Sequence, residues 1–253
     1  MAGRRVRRLA GAATFITLAA AVLVAAVPGA PDTTDTGGIV GRANVMGTVT
    51  FEGTAPAPVA VDMSGDPYCA GANAANPVRR RTVAIDREGR LADVVVYVKE
   101  GLAAGEHPVA QEAVMLDQQN CMYRPRVVAL QARQPILIRN SDETLHNVHV
   151  RARNNREFNL GQIRGVESRR TFATPEVGIR VTCDIHGWMS SSIAVFDHPF
   201  FAISGDTGGY TIGDLPPGEY LLEAWHASLG TQQQRVTVSA GGTATASFTF
   251  QAQ

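Results

Sequence analysis

Helical periodicity is missing from this chain, and so are most of the short motifs that announce an enzyme. No Gly-x-Ser-x-Gly elbow, nucleotide-binding glycine loop or pair of catalytic carboxylates stands out, so the chain does not read as an enzyme. Lysine occurs once, at Lys99, against 22 arginines, a bias of genomic composition more than of design. Cysteine occurs three times, an odd count that no set of internal bridges can use up. Net charge is absent as well, with 23 Lys plus Arg balanced by 23 Asp plus Glu.

What is present begins with an address. Arg4, Arg5, Arg7 and Arg8 precede an uncharged run of 19 residues from Leu9 to Val27. That is the layout of an export signal, and its length also suits an uncleaved membrane anchor. No lipobox cysteine accompanies it, and the paired arginines lack the rest of a twin-arginine signature. Residues 1–30 are therefore set apart as signal peptide or N-terminal anchor, and an exported, periplasmic location is expected. Their removal takes four arginines and no acids, leaving 19 basic against 23 acidic residues, or minus 4. Between Tyr123 and Arg180 the sign reverses, with eleven arginines against five acids. A mildly acidic protein with one basic stretch is a poor nucleic-acid binder; that stretch suits an anionic docking surface on a partner, or solvated loops around a sheet.

The remainder reads as strand after strand. "LADVVVYVK", "RVVALQ", "PILIRN", "LHNVHVRA", "VGIRVTC", "SSIAVFD" and "EYLLEAWH" are short, rich in β-branched residues and separated by Gly, Pro, Asn or Asp. Such spacing predicts an all-β sandwich or barrel. The pattern divides into a tether at 31–42, an N-terminal β extension at 43–89, a domain at 90–197 and a module at 198–253. The last is short for a complete sandwich and is expected to borrow the early strand "GTVTFEG".

Period-two alternation puts His146 on one face with Val148 and Val150, and His149 on the polar face. Val177, Ile179, Val181 and Cys183 likewise share a face. Each row ends in a metal-binding side chain, and a short loop adds His186 and Met189 in the pattern Cys-x-x-His-x-x-Met. Two imidazoles, one thiolate and a weak axial thioether suit copper that cycles between two oxidation states. Structural zinc prefers four strong ligands, and thioether is a poor one. Cys183 also has a duller reading, as half of a disulfide in an oxidising compartment; a Cys69–Cys121 bridge with Cys183 as ligand accounts for all three cysteines. His149, His198 and His226 are expected to be structural.

The pair "NSDETLHNVH" and "CDIHGWM" resembles the two copper motifs of the cupredoxins, with a short ligand loop closest to that of amicyanin; the step of 37 residues from His146 to Cys183 is also similar. The resemblance implies a Greek-key sandwich over 90–197 holding one type 1 copper. His146, Cys183 and His186 would be its equatorial ligands, Met189 its axial one, and Asn147 the residue tying the ligand loops together. It also implies an exposed His186 edge for electron exit, with Trp188 beside it on a docking surface for a dehydrogenase or c-type cytochrome. The whole chain resembles longer exported cupredoxin-like proteins of methylamine utilisation. Its tail, with "GDLPPGEYLLEAW", is similar to carboxypeptidase-regulatory (Ig-like) β modules.

Other copper architectures fit less well. A multicopper oxidase needs His-x-His pairs and a His-Cys-His centre, and a binuclear copper-A loop needs two cysteines. Copper storage or delivery, and a ligand-binding β protein with a vestigial site, remain as alternatives to electron transfer.

Overall fold

A computed structural model describes residues 41–252. The expected export segment at 1–30 and the expected tether up to residue 40 lie outside the described residues. Among the described residues the chain is almost wholly β, with a single six-residue α-helix, Pro67–Ala72. Apart from the short pair Val59–Ala60 and Arg79–Arg80, the strands assemble into two sandwiches, each with its own apolar core.

The first sandwich packs a five-stranded sheet against a four-stranded one. The larger sheet runs Phe158–Gln162, His146–Arg151, Glu176–Thr182, Ser190–Phe196 and Val127–Gln131; the smaller runs Glu167–Thr171, Pro135–Asn140, Val114–Gln119 and Met122–Arg124. The chain crosses between the sheets repeatedly, as a Greek key does. Two of its contacts are parallel, Val127–Gln131 with Ser190–Phe196 and Val114–Gln119 with Pro135–Asn140. Between the sheets lie Leu116, Leu130, Ile136, Ile138, Val148 and Val150, joined at one end by Cys183 and Met189.

The inward row read from sequence holds in His146–Arg151, where His146, Val148 and Val150 are buried and Arg151 is exposed, although Asn147 between them is buried as well. It breaks in Glu176–Thr182. The pairing with Ser190–Phe196 shifts register between Val177 and Ile179, and Gly178 between them has φ +82°. A Cβ there would stand 3.0 Å from the Trp225 ring, so glycine serves both the bulge and the close approach. The bulge turns Val177 away from Ile179, Val181 and Cys183. Val177 packs instead with Val95, Tyr97 and Phe196 on the opposite face.

The second sandwich is built from both ends of the chain. Ala43–Glu52 pairs with Gly209–Leu215 on one side and in parallel with Thr243–Thr245 and Phe248–Gln251 on the other, so the tail does draw on the early strand. Facing them is the sheet Phe201–Ile203, Val95–Glu100, Gly218–His226 and Gly230–Val238. Val95–Glu100 thus hydrogen-bonds within this sandwich, although in sequence it opens the 90–197 segment. Its run "VVYV" is apolar throughout because both faces are covered. Val96 and Val98 point into the second core, while Val95 and Tyr97 meet Val127, Ala194 and Phe196 of the first sandwich.

Glu223 lies buried in this second sandwich. Its carboxylate accepts from Tyr97 Oη, from Lys99 Nζ at 2.5 Å and from Gln233 Nε2 at 2.5 Å. Burial pushes its pKa up, but these three donors outweigh it and hold the group below its ordinary 4.5. Glu223→Ala is expected to cost about 2–3 kcal/mol, because it leaves buried donors without a partner. Since the folded pKa is depressed, the stabilisation is complete above pH ~4.5 and disappears as the pH falls through the lower folded value. Denaturant unfolding at pH 7 and pH 3 checks this: the gap between wild type and variant should be smaller at the lower pH.

Candidate metal centre

The site forms where the larger sheet of the first sandwich reaches its rim. His146 opens one strand, and Cys183 follows the last residue of its neighbour, with Val181 opposite Val150 and Thr182 opposite His149. The chain then turns through 183–189. Met189 N donates to His186 O at 2.9 Å and Cys183 N to Met189 O at 3.3 Å, a closed loop that fixes three candidate ligands on one turn.

The donor atoms converge. His146 Nδ1 and His186 Nδ1 are 2.8 Å apart, and Cys183 Sγ is 3.9 Å from His186 Nδ1. One ligand atom from each of the three residues falls within a 4.8 Å set. His146, Cys183, His186 and Met189 are all buried, none more than 3% exposed. Cys183 is the one thiol outside a bridge among the described residues, since Cys69 and Cys121 form a disulfide.

Asn147 joins the two segments. Its Oδ1 accepts from Asp184 N at 2.7 Å, from Ile185 N at 3.3 Å and from Cys183 Sγ at 3.2 Å. Its carbonyl accepts from the buried Tyr123 hydroxyl at 2.5 Å. His149 stands apart from this set, with its Nδ1 at 3.0 Å from Asp184. His149→Ala is expected to leave the colour and potential of a copper-loaded protein nearly unchanged, measured by visible spectroscopy and voltammetry. His198 and His226 are buried elsewhere, His198 with Nε2 at 2.9 Å from Val98 O and His226 with Nδ1 accepting from Ser228 N.

Two carboxylates escaped sequence reasoning. Asp142 Oδ2 lies 2.9 Å from His146 Nε2, and Asp66 Oδ2 lies 3.1 Å from His186 Nε2. Asp66-Pro67 is a helix start: Pro67 occupies the first turn and the Asp66 side chain accepts from Cys69 N at 3.0 Å. This capping signal was legible; the helix, at six residues, was too short to show a period. Asp142 belongs to a turn, and its approach to a histidine four residues on has no sequence rule behind it.

Asp66 arrives with a cap. The helix is pinned by the Cys69–Cys121 disulfide, Asn73 Nδ2 donates to Asn120 O at 3.1 Å, and Trp188 Nε1 donates to Cys121 O at 3.0 Å. Cys69 Sγ lies 4.0 Å from His186 Nε2. The expected exposed edge at His186 is therefore not present: its ring is 3% exposed, and Trp188 is half-buried beside it with ring centroids 5.0 Å apart. Sequence reasoning missed this because the covering segment is 120 residues away from His186 along the chain.

The electrostatics follow from the contacts. Burial works against charge at every member. It is outweighed at Cys183, where hydrogen bonds from His146 and from nearby backbone amides hold the thiol below its usual range. At His146 burial is again opposed, by Asp142 and Cys183, which push the imidazole up to about 9. His186 is lowered, by burial and by the neighbouring His146 charge. A metal ion entering here would displace the proton that the 2.8 Å contact between the two Nδ1 atoms requires. The donors present (a thiol, two ring nitrogens whose other nitrogens are engaged, and a buried thioether in the adjoining core) fit copper.

No known protein family and no curated sequence matches this chain. Among solved structures it is similar to a copper-containing nitrite reductase from Thermus scotoductus SA-01, at 19% identity over 38% of this chain and 25% of that one, with a TM-score of 0.32. It is also similar to a purple cupredoxin from Nitrosopumilus maritimus, at 17% identity over 32% of this chain and 98% of that one (TM-score 0.29). An oxidised amicyanin variant is 20% identical over 40% of this chain and 97% of that one (TM-score 0.31). The chain thus spans a quarter of the length of the nitrite reductase.

Proposed function

We propose that this chain is an exported type 1 copper protein that carries single electrons between redox partners. His146, Cys183 and His186 would hold the ion, with Met189 as the fourth, weaker ligand. The supporting observation is the convergence of two Nδ1 atoms and one thiol sulfur from three buried residues. Bound copper would supply a one-electron couple. The chain's own part is to keep three ligands on a closed loop and the fourth on a packed strand, so that little has to move when the charge changes. A dehydrogenase or a c-type cytochrome is the class of partner such a centre serves. The strands at 198–253 would then be an accessory β module, akin to carboxypeptidase-regulatory domains.

The cap over His186 favours one other reading, copper storage or delivery, because it shields the ligand edge that fast exchange would use. Stopped-flow mixing of the reduced copper-loaded protein with a c-type cytochrome separates the two. Electron carriage predicts oxidation without loss of copper; slow oxidation together with ready transfer of the ion to a chelating acceptor supports storage.

A further inference from the structure

Both histidines are held from behind, and by carboxylates from different parts of the chain. Their Nδ1 atoms face each other and Cys183, while Nε2 of each faces Asp142 or Asp66. Neither carboxylate depends on its histidine for position. Asp142 Oδ1 accepts from Asn120 N at 2.7 Å and from Tyr68 Oη at 3.2 Å, and its Oδ2 also accepts from Cys121 N at 2.8 Å. Asp66 accepts from Cys69 N at 3.0 Å and from Thr144 Oγ1 at 2.8 Å. Asp142 is 1% exposed. A carboxylate buried so deeply is costly unless its lone pairs are filled, and here backbone amides, a phenol and an imidazole fill them.

We propose that Asp142 and Asp66 are positioning residues, which fix the proton of each histidine on Nε2, aim both Nδ1 lone pairs at the ion, and bias the centre towards its cupric state. This rests on the copper reading above. A histidine ligand whose outer N–H meets a carboxylate is fixed in tautomer and ring orientation and is a stronger donor. Two fixed negative charges behind the ligands also favour the more positive of two oxidation states. The cap therefore does more than cover: through Asp66 it supplies one of these charges, and through the disulfide it holds Asn120 and Cys121 against the other.

The test compares wild type with Asp142→Asn and Asp66→Asn. Each variant keeps the side chain's size and removes its charge. Copper(II) binding is expected to weaken about tenfold relative to copper(I) in each, which raises the reduction potential by about 59 mV. Nitrogen-15 NMR of the copper-free wild type should show a proton on Nε2 of both His146 and His186. Potentials for both variants equal to wild type, or a bare Nε2 on either ring, would overturn the proposal. Should Asp142→Asn fail to fold, Asp66→Asn decides, because its carboxylate lies at the edge of the core. Wild-type protein that binds no copper sinks the functional reading, while the NMR result on that same protein still decides the placement of the protons.

Discussion

Replacing Cys183 by serine is expected to abolish the intense visible absorption of the copper-loaded protein while the β fold survives. The thiol sulfur lies within 4.8 Å of a ring nitrogen of each imidazole, at 3.9 Å from His186 Nδ1, and it is 2% exposed. Serine is nearly isosteric and can take the same hydrogen bond from His186 N, so the cost in stability should stay near 1–2 kcal/mol. A hydroxyl offers copper(II) no thiolate-to-metal transition. Absorption spectroscopy with circular dichroism checks both halves: colour lost, strand signal kept. A variant that stayed coloured would refute the ligand assignment.

Removing the disulfide should have the second large effect. Cys69 and Cys121 are 52 residues apart, and closing a loop of that size in the unfolded chain is worth about 4 kcal/mol. Cys69→Ala with Cys121→Ala is therefore expected to lower the unfolding free energy by about that amount. It should also speed the loss of copper to a chelator, because Asp66, Asn73 and Trp188 all hold the cap through residues at the bridge. Denaturant titration and chelator-release kinetics measure the two separately. Lower stability with an unchanged release rate would mean that the cap does not guard His186.

The parts of this molecule that were legible in sequence are those governed by local geometry. His146 and Cys183 were placed on inward faces by alternation, because the side chains of strands turn over every residue. The alternation failed at Val177, where Gly178 lets the chain slip by one. Phe158–Gln162 and Glu167–Thr171 went unrecognised because "FNLGQ" and "ESRRT" carry little apolar residue; both lie at sheet edges, with one side open. Val95–Glu100 was recognised as a strand, but which sandwich it joins is decided by its partners Gly218–His226 and Phe201–Ile203, and no local pattern records that choice. The cap was hidden for the same reason. Asp66 meets His186 only because a disulfide and a helix bring distant segments together, and the sequence marks the helix start without saying what it will cover.

The most direct measurement is X-ray absorption at the copper edge of the loaded wild-type protein. The account predicts a coordination sphere of one short copper–sulfur bond and two copper–nitrogen bonds, the sulfur lost in Cys183→Ser. A sphere of nitrogen and oxygen alone in the wild type would contradict it.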